Sequence, residues 1–213
     1  AAQPDDSLML LKATSGAPHE GGQRFNMDDK YYEIMRGCIA DGAKLEFRNG
    51  AHTLNNVTTS GLGTFQISTE NVGADASVVL NGGTHTSVFL LSGSTLSGTD
   101  HTLRGAATWT GGTITGPATE STTFGSTLAI TGPNTKTLSG GRDVNAGNTT
   151  WTGNTAAGNN AIAIATASAF NNTGTFTDSN AFDSAINVGN GGGTFNNSGT
   201  FNKQSATTTS IGT

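Results

Sequence analysis

The chain has 213 residues and a net charge of −5, from ten basic and fifteen acidic side chains, with one cysteine, Cys38, and four prolines. Apolar residues make up 33% and charged residues 12%, against roughly 45–50% (a tally that includes Gly) and about 25% in ordinary globular domains. This balance excludes a phosphate-binding surface built on basic clusters, an internal disulfide or Cys-x-x-Cys site within the chain, and a helical membrane span, which needs about 18 consecutive apolar residues. The deficit is filled by Gly, Thr, Ser and Asn, and proline and charge are too scarce for a disordered tail.

Residues 1–44, a fifth of the chain, hold 12 of the 25 charged side chains and both tyrosines, and read as a helical N-terminal segment. Pro4-Asp5-Asp6-Ser7 caps a short helix over Leu8–Lys12, and the Gly-rich run from Ser15 to Gly22 is a loop. Asp28-Asp29 opens a second helix with Tyr32, Met35 and Ile39 on one face, closed by Gly42. Two short helices bury too little surface to fold alone, so the segment is expected either to dock as a cap or to be the remnant of a larger domain.

Three stretches of this segment carry a resemblance. Asp6-Ser7-Leu8-Met9-Leu10-Leu11-Lys12-Ala13-Thr14, then Pro18-His19-Glu20-Gly21-Gly22-Gln23-Arg24-Phe25, then Tyr32-Glu33-Ile34-Met35-Arg36 with Ile39-Ala40-Asp41-Gly42-Ala43, resemble the C-terminal half of the planctomycete-type cytochrome-c-like domain. The Cys-x-x-Cys-His haem-attachment motif of that family is missing, and Cys38 stands where the family carries Trp. The resemblance therefore implies a piece of an exported bacterial multidomain protein, with no haem or other cofactor of its own. His19 lies in the resembling motif and is assigned a loop role.

From residue 45 to 213 the chain changes to short β-forming runs separated by Gly and Asn turns, as in Thr64-Phe65-Gln66-Ile67-Ser68 and Ser77-Val78-Val79-Leu80. Two identities share one offset, 42 in residue number. Thr95-Leu96-Ser97-Gly98 returns as Thr137-Leu138-Ser139-Gly140, and Thr108-Trp109-Thr110-Gly111 returns as Thr150-Trp151-Thr152-Gly153. Half that offset links Ile67, Val88, Trp109, Ile130 and Trp151 in a ladder of large apolar residues. Self-similarity at this period predicts a solenoid, in which each coil buries its apolar face only by stacking on its neighbours. The expected fold is all-β: a parallel β-helix with ~21-residue coils. Phe170 and Phe176 recur as Phe195 and Phe201, within Phe-Asn-Asn-Thr/Ser-Gly-Thr-Phe. That spacing is wider, so later coils are longer, with the extra length expected near Asn187–Gly193. Asn at matching places predicts hydrogen-bonded ladders along the stack.

Residues 95–203 also resemble the β-helical repeats of large bacterial surface and filamentous-haemagglutinin-like proteins, which implies an extracellular or cell-surface location. Thr213 falls inside a repeat-like run without a capping element, so further coils are expected beyond it.

Chemistry-bearing residues are sparse. His52, His85 and His101 share a His-Thr tag, but their offsets do not fit one rung, and surface histidines of the repeats are expected rather than a metal site. After residue 49 the acids are isolated; only Arg142-Asp143 and Asp178 with Asp183 lie near one another, and solvated surface charges are the expectation. The run Gly189–Thr194 has glycines of a calcium-binding nonapeptide without its aspartate. Thr-x-Thr triplets occur at Thr108–Thr110, Thr113–Thr115 and Thr150–Thr152. They do not recur in every coil, and β-propensity accounts for them better than an ice-binding array.

The expected function is non-enzymatic: a structural or adhesive extracellular β-solenoid, a segment of a larger bacterial surface or fibre-forming protein that associates end to end, with no nucleic-acid partner and no membrane span. The first alternative is a carbohydrate-binding or polysaccharide-processing β-helix, which surface-exposed Trp109 and Trp151 would favour. The second is a fragment accessory to an exported haem protein.

Overall fold

The computed structural model describes residues 44–69, 75–165, 167–189 and 192–212. The helical reading of residues 1–43 lies outside them.

The described chain is a parallel β-solenoid of about seven turns. The first coil holds β1 (Lys44–Phe47) and β2 (Ala51–Asn55), and the second β3 (Thr64–Ile67), β4 (Ser77–Asn81) and β5 (Thr84–His85). In the third and fourth coils single long strands, β6 (Val88–Ser97) and β8 (Ala107–Thr115), each turn across two faces before β7 (His101–Leu103) and β9 (Ser121–Phe124). The fifth coil separates these parts again into β10 (Leu128–Ile130), β11 (Lys136–Ser139) and β12 (Asp143–Ala146). The sixth is β13 (Thr149–Trp151), β14 (Ile162–Ile164) and β15 (Ala169–Asn172), and the seventh β16 (Thr175–Asp178), β17 (Ser184–Asn187) and β18 (Thr194–Asn197). Then come β19 (Thr200–Lys203) and β20 (Thr209–Gly212).

Each coil is three-sided. The first face stacks β1, β3, β6, β8, β10, β13, β16 and β19; the second stacks β2, β4, β6, β8, β11, β14, β17 and β20. Because β6 and β8 belong to both, these two faces form one continuous 14-stranded sheet. The third face is a separate sheet of six strands, β5, β7, β9, β12, β15 and β18. Along the inner strands of the stack buried and partly exposed residues alternate, as in β4 and β9, because successive side chains point to opposite sides of the sheet. The inward set forms a single apolar core running the length of the stack.

The repeated tetrapeptides are register partners two coils apart. Leu96 pairs with Ile114 and Ile114 with Leu138, while Trp109 pairs with Ile130 and Ile130 with Trp151. The repeated glycine has a reason too. Gly98 (φ +123°) and Gly140 (φ +76°) close the second face, and a Cβ on Gly98 would sit 2.0 Å from the carbonyl oxygen of Leu80. Only glycine turns the corner this close to the coil beneath.

The expected even step holds for only part of the stack. The innermost column of the first face runs Phe47, Ile67, Leu91, Trp109, Ile130, Trp151, Asp178 and Lys203. The two steps from Trp109 to Trp151 are equal; the one from Ile67 to Leu91 is longer and the one from Leu91 to Trp109 shorter. Val88 is therefore not a rung. It pairs with Thr64, faces outward and is 40% exposed, and Leu91 takes the core position. A long coil followed by a short one covers the same length of chain as two average ones, so the frame re-enters register at Trp109. Ile67, Trp109, Ile130, Trp151, Phe170 and Phe176 are fully buried, and Phe195 and Phe201 are partly buried against the core. Replacing Val88 with Thr is expected to leave stability unchanged within about 0.5 kcal/mol, as for a surface site; a core-sized loss in a urea titration would contradict this register.

Phe170 pairs with Phe195 and Phe176 with Phe201, as their shared spacing requires. The extra length of that coil falls between β17 and β18, which six residues separate in sequence where three separate β11 from β12. A second enlarged corner, 152–161, is not evident from the repeats. Asparagine ladders are present: Asn171 donates to Asn145 at 2.9 Å and Asn196 to Asn171 at 2.8 Å, and a second pair joins Asn172 to Asn197.

Candidate functional site

The polar residues of the solenoid include two buried corner networks and three outward files of hydroxyls, two on the first face and one on the second. The networks arise because a three-sided coil must turn between faces, and each turn leaves backbone carbonyls that no ladder satisfies.

The first network fills the corner between the second and third faces. Arg142, immediately before β12, has no exposed surface. Its Nε donates to Thr122 Oγ1 at 2.8 Å, and its Nη2 to the carbonyls of Thr99 (2.9 Å) and Ser121 (2.6 Å); Nη1 donates to the Gly98 carbonyl. One guanidinium thus ties together three consecutive coils. Gly116 makes room for it, since a Cβ there would lie 2.7 Å from Nη1. Burial lowers the Arg142 pKa, against the opposing fields of Asp100 and Glu120. Outside this corner Asp100 accepts from the amide of Ser121 at 2.6 Å and from its hydroxyl at 3.0 Å, bonds that lower its pKa.

His101, in β7, points into the same corner and is 3% exposed. Its Nε2 lies 3.1 Å from Thr122 Oγ1, and its Nδ1 lies 2.9 Å from the Thr99 carbonyl and 3.1 Å from Arg142 Nη2, so the ring is held at both nitrogens. Burial, with the guanidinium beside it, pushes the imidazole down to about 4. His85, in β5, is also buried and stacks on Phe65 with centroids 5.9 Å apart, and burial lowers its pKa. The expectation of surface histidines is thereby corrected for both. They occupy inward positions in line with Leu103 and Thr122; polar neighbours at the corner take the place of water around His101, whereas His85 has Thr59 Oγ1 at 3.1 Å from Nδ1 and no described partner at Nε2.

The second network occupies the corner between the first and second faces of the later coils. Lys136 takes an inward place that Ile162 and Ile186 fill in the coils above. Its Nζ donates to the carbonyls of Gly132 (2.8 Å) and Asn134 (2.7 Å) and to the side chain of Asn160. Burial pushes it down to about 8, although three oxygen acceptors favour the charged form. Asn160 donates to Asn180 Oδ1 at 2.9 Å, and Asn180 to Asp178 Oδ1 at 3.0 Å. Asp178 has no exposed surface and pairs with Lys203 at 3.3 Å. The expectation of a solvated surface acid is corrected here. Asp178 occupies the core column directly above Trp151, and its charge is compensated by Lys203, its register partner on the next coil. Asp183 instead accepts from the amide of Thr208 at 2.7 Å, so the two acids serve different turns. Arg142 and Asp143 likewise diverge, the first buried and the second partly exposed.

The outward files are the part that sequence reading did not find. On the first face Thr108, Ala129, Thr150 and Thr177 are register partners on four successive coils. Two positions on, Thr110, Thr131, Thr152 and Ser179 continue the ladder, with the amide of Thr131 on Trp109, that of Thr152 on Ile130 and that of Ser179 on Trp151. On the second face Thr95, Thr113 and Thr137 align in the same way. Unequal coil lengths hide this alignment from a fixed-period search, although the Thr-x-Thr triplets themselves are visible. Trp109 and Trp151, between the first-face files, are buried, so neither ring is presented to a sugar. Among the described residues no group of three or more His, Cys, Asp or Glu is placed to hold a metal ion.

The class of protein these features define is a three-sided parallel β-solenoid with buried polar corners. No family model, curated protein or solved structure matches the chain.

Proposed function

We propose that this chain is a non-enzymatic structural module of an extracellular or cell-surface bacterial protein, a stiff rod whose coils associate end to end. The observation that carries this reading is the stack itself. There is one continuous build throughout: a 14-stranded and a six-stranded parallel sheet close around a single apolar core that runs through the described coils. Hydrogen-bonded ladders along such a stack make a stiff rod, and each coil of a solenoid offers its strand edges to the coil stacked on it. The resemblance of residues 95–203 to surface-protein repeats supports the extracellular location, and the neutral Thr, Ser and Asn faces suit many weak contacts acting together.

The test is light scattering and negative-stain electron microscopy of the full chain over a concentration series. Rods lengthening in steps of one chain are expected, with Ile211→Lys and Phe201→Lys holding the particle at single-chain length. A wild-type chain that stays single at the highest concentration, or charged variants that lengthen equally, overturns end-to-end association.

A further inference from the structure

We propose that the first face of the fourth to seventh coils is an ice-binding surface. Its two outward files form a grid of eight positions, of which seven carry a hydroxyl and none a charge. Ala129 is the single gap. Side chains two apart on a strand lie about 6.6 Å from one another and neighbouring coils about 4.8 Å apart, spacings comparable to those at which oxygens repeat across faces of hexagonal ice.

Three further features fit that ligand. The hydroxyls are mostly unspent within the described protein: Thr110 reaches the Leu91 carbonyl only at 3.5 Å, and Ser179 bonds Gln204 at 2.9 Å, but no intramolecular hydrogen bond engages the hydroxyls of Thr108, Thr131, Thr150, Thr152 or Thr177. Six of the seven are threonine, whose branched Cβ holds the side chain in few rotamers, so little freedom is lost when water orders against it. Beneath the grid lie Trp109, Ile130 and Trp151, fully buried and in register, which keep the backbone of the face from yielding. A regular, stiff, uncharged array of hydroxyls and methyls suits a repeating water lattice. A glycan surface would call for exposed aromatic rings, and the two tryptophans here face the other way. This inference rests on coil register alone and does not depend on end-to-end association.

The experiment is thermal hysteresis and ice-recrystallisation inhibition of the full chain, with circular dichroism to confirm that each variant folds. Wild type is expected to shape ice crystals and to hold a hysteresis gap that Thr150→Lys reduces to the buffer level. Thr123→Lys, on the third face, is expected to keep the gap, and Ala129→Thr, which completes the grid, to widen it. No hysteresis in wild type, equal activity in Thr150→Lys, or equal loss in Thr123→Lys would each overturn the proposal. Retention on crystalline cellulose without any effect on ice would overturn it in favour of a polysaccharide.

Discussion

Replacing Arg142 with Leu is expected to destabilise the third to fifth coils by about 3–5 kcal/mol, the scale of breaking a buried charged network. The side chain supplies donors to Gly98, Thr99, Ser121 and Thr122 from a position with no exposed surface. Leu fills much of the space but leaves the carbonyls of Gly98 and Ser121 without the donors Arg142 supplied, and Thr99 with His101 alone; each orphaned group costs about 1–3 kcal/mol. Lys restores the charge without the planar fork, so Arg142→Lys is expected to recover only part of the loss. A repeat array need not unfold in one step, so the decisive measurement is amide hydrogen exchange resolved by coil. Protection should fall most in β7, β9 and β12 and least in β17 and β20. A change below about 1 kcal/mol, or one spread evenly over the stack, would show that Arg142 merely fills space.

Acid is expected to loosen the same corner. In the unfolded chain His101 takes up its proton near the ordinary imidazole value of 6.5, whereas the folded protein refuses it until about 4. Between those values the unfolded state binds more protons, so stability falls as the pH drops through the window, by roughly 3 kcal/mol in all. The cause is geometric: a second cation at His101 would sit buried beside the guanidinium of Arg142, 3.1 Å from its Nη2. Urea midpoints measured from pH 7 to 4 should show this slope, and His101→Gln should flatten most of it. The remainder is assigned to His85, whose pKa burial also lowers. An unchanged slope in His101→Gln would move the acid sensitivity elsewhere. Sites at Asp and Glu act in the lower part of this range, so the comparison between variant and wild type carries the test rather than the wild-type curve alone.

The two networks also explain why chemistry was hard to read from the chain. Lys136 and Asp178 stand at inward positions of strands whose alternation otherwise places apolar residues there, and that mismatch with the pattern is the visible sign of a buried charge. What hides it is that their partners, Asn160 and Lys203, each lie a full coil further along the chain. For the histidines no local sign exists. His52, at an outwardly similar His-Thr-Leu, stays partly exposed and bonds the Asn49 carbonyl at 2.7 Å, whereas His101 is enclosed because Arg142, two coils on, reaches back over it.

The sequence by itself determined the architecture. Short β-forming runs, glycines at recurring corners and the repeated tetrapeptides leave a stacked parallel coil as the arrangement in which each run buries one side. It also determined most of the core, because Trp109, Ile130 and Trp151 are spaced by coils of equal length, and the Phe170–Phe195 and Phe176–Phe201 pairs by a longer one. Only the tertiary structure decided which residue completes a rung where coils differ in length, as with Leu91 in place of Val88. It alone decided that Arg142, Lys136, His101 and Asp178 lie inside, and that threonines from unequally spaced triplets fall into two files on the first face. The physical reason is common to all of these. Corners absorb insertions without disturbing the strands they join, so the contacts across coils are set by hydrogen-bond register between ladders, and register is a property of the stack rather than of any stretch of chain.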